Sequence, residues 1–146
     1  QLAWKLRSDP RVTVMERVNA RYLEPQALPF RPDLAVCDAS FISQTLLLPV
    51  LVAAVGPGGR LIITLVKPQF EVERGQVGKG GVVRDPVLHD QAIARCVKAG
   101  EALGCQIVGV APSPIHGPAG NTEFLLALRS PLALAAPQSA APEESA

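Results

Sequence analysis

The stretch Leu61–Val66, LIITLV, sets the tightest limit on how this chain can fold. It lies between a Gly56-Pro57-Gly58-Gly59 turn and Lys67-Pro68. A short apolar run bounded by turn signals reads as a strand buried on both faces, the habit of parallel sheets covered by helices. Proline disfavours the α region for its predecessor, so Lys67 is held extended where the strand ends. The loop Pro68–Arg84 follows, glycine-rich and carrying three basic side chains, Arg74, Lys79 and Arg84. Long loops in compact domains are uncommon unless they serve as lids or binding loops. Open α/β sheets place their sites at the carboxyl ends of strands, and a mobile basic loop leaving from Lys67 marks that edge.

The flanking sequence supplies the rest of such a sheet. Asp85-Pro86 is a helix start, with aspartate at the N-cap and proline at the first helical position. The helix is expected to run to about Leu103 and to stop at Gly104. Upstream, Leu34–Cys37 is a short strand ending on Asp38, and Phe41–Val55 is a helix with a kink at Pro49. Downstream, Gln106–Ala111 and Glu123–Arg129 are strands on either side of the turn-rich Pro112–Asn121. Gln1–Arg7 reads as the tail of a helix, Val12–Glu16 as an alternating strand, and Arg17–Arg21 as a polar loop. Pro25, Pro29 and Pro32 exclude regular structure until Leu34. The alternation of strands and helices predicts a layered α/β sheet. Residues 130–146, rich in Ala, Pro and Ser, have too little to bury and are expected to be a disordered tail.

Composition narrows the function classes. A net charge of +1 provides no global basic field, so any nucleic-acid surface must be local. No apolar run approaches the length of a membrane span. The three cysteines, Cys37, Cys96 and Cys105, are an odd number without CxxC spacing, as expected of reduced buried thiols in a cytosolic protein. Gly75-x-x-Gly78-Lys79-Gly80 is too short for a phosphate loop and has glycine where Ser or Thr should ligate magnesium. The glycine fingerprint of nicotinamide-binding domains is absent. His89 and His116 have no ligand-like partners, so no metal site is expected, and Trp4 and Tyr22 are too scattered for a base-stacking platform. No stretch is both strongly amphipathic and basic, as a membrane-acting peptide would be. With 146 residues and no initiator methionine, the chain reads as one domain's worth of a longer protein.

Three residues fall into one place on this topology. Asp38 and Lys67 follow parallel strands at the same edge, and an antiparallel last strand would bring Glu123 to it as well. A lysine there can position and deprotonate a hydroxyl, its ammonium oriented by the carboxylates. Burial favours the neutral amine while each carboxylate favours the ammonium, so a further cation or desolvation must offset the two acids. A buried ion pair or an exposed strand-end charge would leave the same spacing.

Four segments resemble the TlyA family: LVKPQFEVERGQVGKGGVVRD, SPIHGPAGNTEFLLAL, VCDASFIS and QLAWKLRSDPRVTVMERVNARYL. This family comprises FtsJ-like ribosomal RNA 2′-O-methyltransferases, some of which carry the name haemolysin. The resemblance covers Gln1 to about Arg129. It implies a partial Rossmann-like, S-adenosyl-L-methionine-dependent methyltransferase sheet with an antiparallel last strand, in which residues 1–129 are the C-terminal part of the domain. It also implies a Lys-Asp-Lys-Glu active site, of which Asp38, Lys67 and Glu123 match the last three members. The first lysine, the cofactor's glycine-rich turn and the acid that takes its ribose hydroxyls have no counterpart here. The strand bearing that turn would pair beside Leu34–Cys37, whose edge is otherwise unpaired. The implied cofactor contacts are Asn19, Asp38 and Ser40, with Asn19 placed toward adenine or else a plain loop residue. Ser40 and Phe41 flank the Asp38 turn and can line the cofactor or a target base, although Phe41 is expected in the core. Arg74, Lys79 and Arg84 can hold RNA phosphates, since positioning contacts need only charge and reach; a solvated loop is the other reading. The implied partner is ribosomal RNA or a ribosomal subunit, without membrane or metal. A catalytically inactive RNA-binding or haemolysin-like protein is the alternative.

Overall fold

The computed structural model describes residues 2–133. Its elements are α1 (Trp4–Arg7), β1 (Leu34–Cys37), α2 (Gln44–Val55), β2 (Leu61–Val66), α3 (Pro86–Ala102), β3 (Gln106–Pro112) and β4 (Phe124–Arg129). The four strands form one sheet in the order β1-β2-β4-β3. β1 and β2 are parallel, while β4 slots antiparallel between β2 and β3. The expected antiparallel last strand is therefore present. The tail expected over 130–146 lies outside the described residues from 134 onward.

Local chemistry explains the helix boundaries. Asp85 caps α3 by accepting from the Val87 N–H, with Pro86 at the first helical position. Ser43 caps α2 by accepting from the Thr45 N–H, so that helix begins at Gln44 and not at the expected Phe41. Phe41 is excluded because its backbone is left-handed, with φ of 63°. Pro49 sits inside α2 on the solvent side, where it removes one helical donor.

The core lies on one face of the sheet. Leu48 and Val55 of α2 and Ala92 and Cys96 of α3 pack on Ile62, Val66, Leu126 and Leu128. Gly100 permits the close approach of α3, since a Cβ there would come within 2.4 Å of the Leu128 Cδ2. Along β2, Ile62, Thr64 and Val66 are fully buried, whereas Leu61, Ile63 and Leu65 are half-buried. Burial of β2 on both faces was the sequence expectation, and one face is what is found. Both long helices cross the same side, and on the other Val36 is left exposed.

Val12–Glu16 is not a strand. Its alternation has no neighbouring strand to pair with among the described residues, and Glu16 instead forms an ion pair with Arg7 at the end of α1. The helix expected over Gln1–Arg7 is a single turn.

Candidate active site

The register of β1 against β2 builds the site. Cys37 pairs with Thr64, so both chains leave the sheet at the same edge, Asp38 directly after β1 and Lys67 directly after β2. Lys67 is extended, as its proline neighbour requires. Its Nζ lies 2.7 Å from the Asp38 Oδ1 and donates to the Ser40 Oγ at 3.0 Å. Lys67 is 9% exposed, whereas Asp38 is open to solvent. The ammonium therefore emerges from a buried stem and meets its partners at the surface. Val66 pairs with Phe124, which sets buried Glu123 at this same edge. The Glu123 carboxylate lies against Gly117, where a Cβ would come within 2.7 Å of its Oε1.

Two cavities share this wall. One, of about 560 Å³, runs along the open sheet face past Val36, Ile63, Leu65 and Leu125. The other, of about 430 Å³, is bounded by Phe41, Phe70, Val77 and Gly80–Gly81. Ser40, Lys67 and Glu123 line both. A lysine at the junction of two binding spaces can meet groups brought in from either side.

Phe41 corrects a sequence expectation. It is 91% exposed and not in the core, its ring centroid 5.1 Å from that of Phe70. A left-handed backbone at a non-glycine residue costs on the order of 1–3 kcal/mol and persists only where surrounding structure imposes it. Asn19 is exposed, and its Oδ1 accepts from the Arg21 N–H, capping a short turn at Ala20–Tyr22. It lines neither cavity.

The basic loop, expected to be mobile, is hydrogen-bonded to the rest of the domain near its end. It is a chain of short 3₁₀ turns, the Arg74–Gln76 turn closed by reciprocal Glu73–Gln76 capping. Val82 and Val83 are buried as anchors. Buried Asn121 clasps the loop, its Oδ1 accepting from the Val83 N–H and its Nδ2 donating to the Gly81 carbonyl, each at 2.9 Å. Arg74, Lys79 and Arg84 stay exposed, and none is ion-paired among the described residues. The sequence reading missed Asn121, whose only signal is its place in GNTEF beside Glu123. It also missed Glu71, buried four residues beyond Lys67.

Cys96 and Cys105 are buried and Cys37 half-buried, all three free. Burial pushes each thiol above its usual range, assisted at Cys96 by the Glu71 charge. Cys96 and Cys105 belong to the core, whereas Cys37 borders the cavity along the open sheet face. Among the described residues, no cluster of His, Cys, Asp or Glu could hold a metal ion.

A parallel pair, an antiparallel strand slotted beside it and covering helices make a mixed α/β sheet with a lysine–aspartate pair at one strand edge. The chain belongs to the FtsJ-like methyltransferase family, which it matches over residues 1–130. It is 52% identical over 130 residues to the 16S/23S rRNA (cytidine-2′-O)-methyltransferase TlyA of Mycobacterium tuberculosis, covering 89% of this chain and 48% of that protein. It is 49% identical over 132 residues to Bacillus subtilis YqxC, provisionally named an rRNA methyltransferase, covering 90% of this chain and 47% of that one. A Lactococcus lactis crystal structure with a provisional hemolysin description superposes with a TM-score of 0.85 at 42% identity, covering 92% of this chain and 65% of that one. The resemblance to the TlyA family drawn from the motifs is thereby borne out. The chain spans about half the length of the curated relatives it matches.

Proposed function

We propose that the complete gene product transfers a methyl group to a ribose 2′-hydroxyl of ribosomal RNA, and that this chain carries the acceptor-activating part of its active site. The observation that carries the reading is the Lys67 ammonium, buried at its stem, paired with Asp38 and placed where two cavities meet. Methyl transfer joins a donor and an acceptor, and a shared wall with a proton-transfer group is the arrangement it needs.

The Lys67 Nζ, as an ammonium, donates to the acceptor O2′ and fixes its direction; as a neutral amine, it takes the hydroxyl proton. Asp38 and Ser40 hold the Nζ in place. Glu123 supplies a second carboxylate at the junction, its position limited by Gly117. Exposed Phe41, its ring beside that of half-buried Phe70, offers aromatic surface on which the acceptor base can stack, worth about 1–3 kcal/mol per base. Arg74, on the turn closed by Glu73–Gln76 capping, and Lys79 and Arg84, flanking the Asn121 clasp, supply phosphate contacts that are independent of sequence.

S-adenosyl-L-methionine, the donor implied by the family, supplies an electrophilic methyl group when bound. The residues present fit part of it. The exposed Asp38 carboxylate and the Ser40 hydroxyl are apt partners for its polar groups, and Asn19, whose Oδ1 caps the Ala20–Tyr22 turn, keeps its Nδ2 donors for adenine. The glycine-rich turn that cradles such a donor is not in this sequence. We infer that a preceding strand and its helices complete the site, pairing with the open edge of β1 and covering the exposed sheet face around Val36. On this reading residues 1–129 are the C-terminal part of the methyltransferase domain, followed by a tail.

The hemolysin names among the relatives suggest a second reading, an RNA-binding or membrane-acting protein without catalysis. No helix among the described residues is long and apolar enough to cross a membrane. The ion-paired lysine at the cavity junction favours the enzyme. Single-turnover incubation of the complete gene product with unmodified ribosomal RNA and donor tests this, with 2′-O-methyl mapping as the readout. Absence of any ribose methylation overturns it.

A further inference from the structure

We propose that Glu71 is a positioning residue: its buried carboxylate locks the Asp38 loop to the Lys67 strand and so sets the geometry of the Lys67–Asp38 pair. The proposal rests on the functional reading above only for its kinetic consequence. Its structural claim stands on the hydrogen bonds alone.

Glu71 is 3% exposed, yet among the described residues no cation lies within ion-pairing distance of its carboxylate. Both oxygens are instead used at the start of α2. Oε1 accepts from the Gln44 backbone N–H and Oε2 from the Ser43 hydroxyl, each at 2.6 Å. The first turn of a helix has N–H groups without intrahelical partners and the positive end of the helix dipole, so a carboxylate there is stabilised without a cation. Bonds of this length to an ionised acceptor belong to the strong, charge-assisted class.

The lock continues beneath the site. The Gln44 side chain is 1% exposed, and its Oε1 accepts from the Thr64 hydroxyl at 2.5 Å. Thr64 is the β2 residue paired with Cys37, directly before Asp38. Arg95 of α3 donates to the Glu71 carbonyl at 2.8 Å, anchoring the turn from a third element. The network thus closes two circuits: Asp38 to Ser43–Gln44 along the chain, then to Glu71 and back to Lys67; and Gln44 through Thr64 directly to β2. The paired strand ends and the start of α2 are thus tied together by buried hydrogen bonds, two of them to the Glu71 carboxylate. Asp38 itself is too exposed to fix the lysine unaided.

The test is Glu71→Gln in the complete gene product, with Glu101→Gln on the exposed face of α3 as the control. Glutamine preserves size and one acceptor but loses the charge and the second acceptor. The expected result is a fall in single-turnover rate on the order of 10- to 100-fold, the effect of a sub-ångström to ångström misplacement, with the KM for RNA nearly unchanged. Amide NMR supplies a readout without catalysis. The Gln44 amide proton should lie far downfield in wild type and move upfield in Glu71→Gln, with shifts spreading to residues 38–43 and 67–70 while β3 stays unchanged. An unchanged rate with unchanged Gln44 amide overturns the proposal. So does a rate loss that merely tracks a lower melting temperature, which would make Glu71 structural only. If wild type methylates nothing but the amide shifts occur as stated, the functional reading fails and the lock survives.

Discussion

Gly117→Ala offers a way to move the Glu123 carboxylate, proposed above to act at the cavity junction, without replacing it. Gly117 has no left-handed backbone requirement, so alanine brings a Cβ and little backbone strain. That Cβ would sit 2.7 Å from the Glu123 Oε1, 3.5 Å from its Cδ and 3.7 Å from the Asn121 Cβ. Ordinary contact begins near 3.4 Å, so the carboxylate oxygen must retreat by about 0.7 Å. Glu123 is buried at the start of β4, but its carboxylate is the far end of a flexible side chain bordering both cavities, so the carboxylate itself takes up the shift and the backbone need not move. Displacements of about 1 Å at a reacting centre reduce rates up to about 100-fold, or about 2.7 kcal/mol in the barrier. The assay is single-turnover ribosomal RNA methylation by the complete gene product. Gly109→Ala is the control, since a Cβ there meets nothing within 4 Å. Gly117→Ala should lose on the order of 10- to 100-fold in rate with its melting temperature nearly preserved, and Gly109→Ala should lose little. A Gly117→Ala protein that methylates at the wild-type rate would show that the Glu123 carboxylate need not stand where it is found.

Three further outcomes follow from the same geometry. Replacing Arg74, Lys79 and Arg84 with alanine should weaken RNA binding across sequences and flatten the salt dependence by about one unit of slope per lost contact, as fluorescence titration at several salt concentrations would show. Asn121→Ala leaves the buried Val83 N–H without its acceptor, and calorimetry should register a loss of about 1–3 kcal/mol in stability together with proteolytic sensitivity at residues 79–84. The 146-residue chain by itself, lacking the glycine-rich turn, should bind S-adenosyl-L-methionine weakly or not at all in calorimetric titration while the complete gene product binds it.

Much of the fold could be read from residues whose instructions are local. Asp85-Pro86 starts α3 because a cap and a proline act within one turn, and Leu61–Val66 pairs as a strand because apolar runs between turns must find a sheet. Asp38 and Lys67 meet because parallel neighbours leave a sheet at one edge, and that follows from strand order alone. What was illegible depends on distant partners. Val12–Glu16 alternates like a strand, but no strand among the described residues pairs with it. Phe41 looks like core by composition, and only its left-handed backbone turns it to solvent. Residues Leu61, Ile63 and Leu65 read as a second buried face, but no described element covers them. The contacts of Glu71 with Ser43 and Gln44 span 28 and 27 residues. No spacing rule announces such contacts, and the only hint was a carboxylate between the apolar Phe70 and Val72.

The central claim is that Lys67 removes the proton from the attacking hydroxyl, and Lys67→Arg tests it most directly. Arginine keeps a positive charge that can still reach Asp38, but a guanidinium does not give up its proton near neutral pH. Single-turnover methylation of ribosomal RNA by the complete gene product should therefore fall by roughly two to four orders of magnitude in Lys67→Arg, almost as far as in Lys67→Ala, with the fold intact by circular dichroism. Near wild-type methylation by Lys67→Arg would contradict proton abstraction by this residue and leave Lys67 only a role in electrostatic positioning.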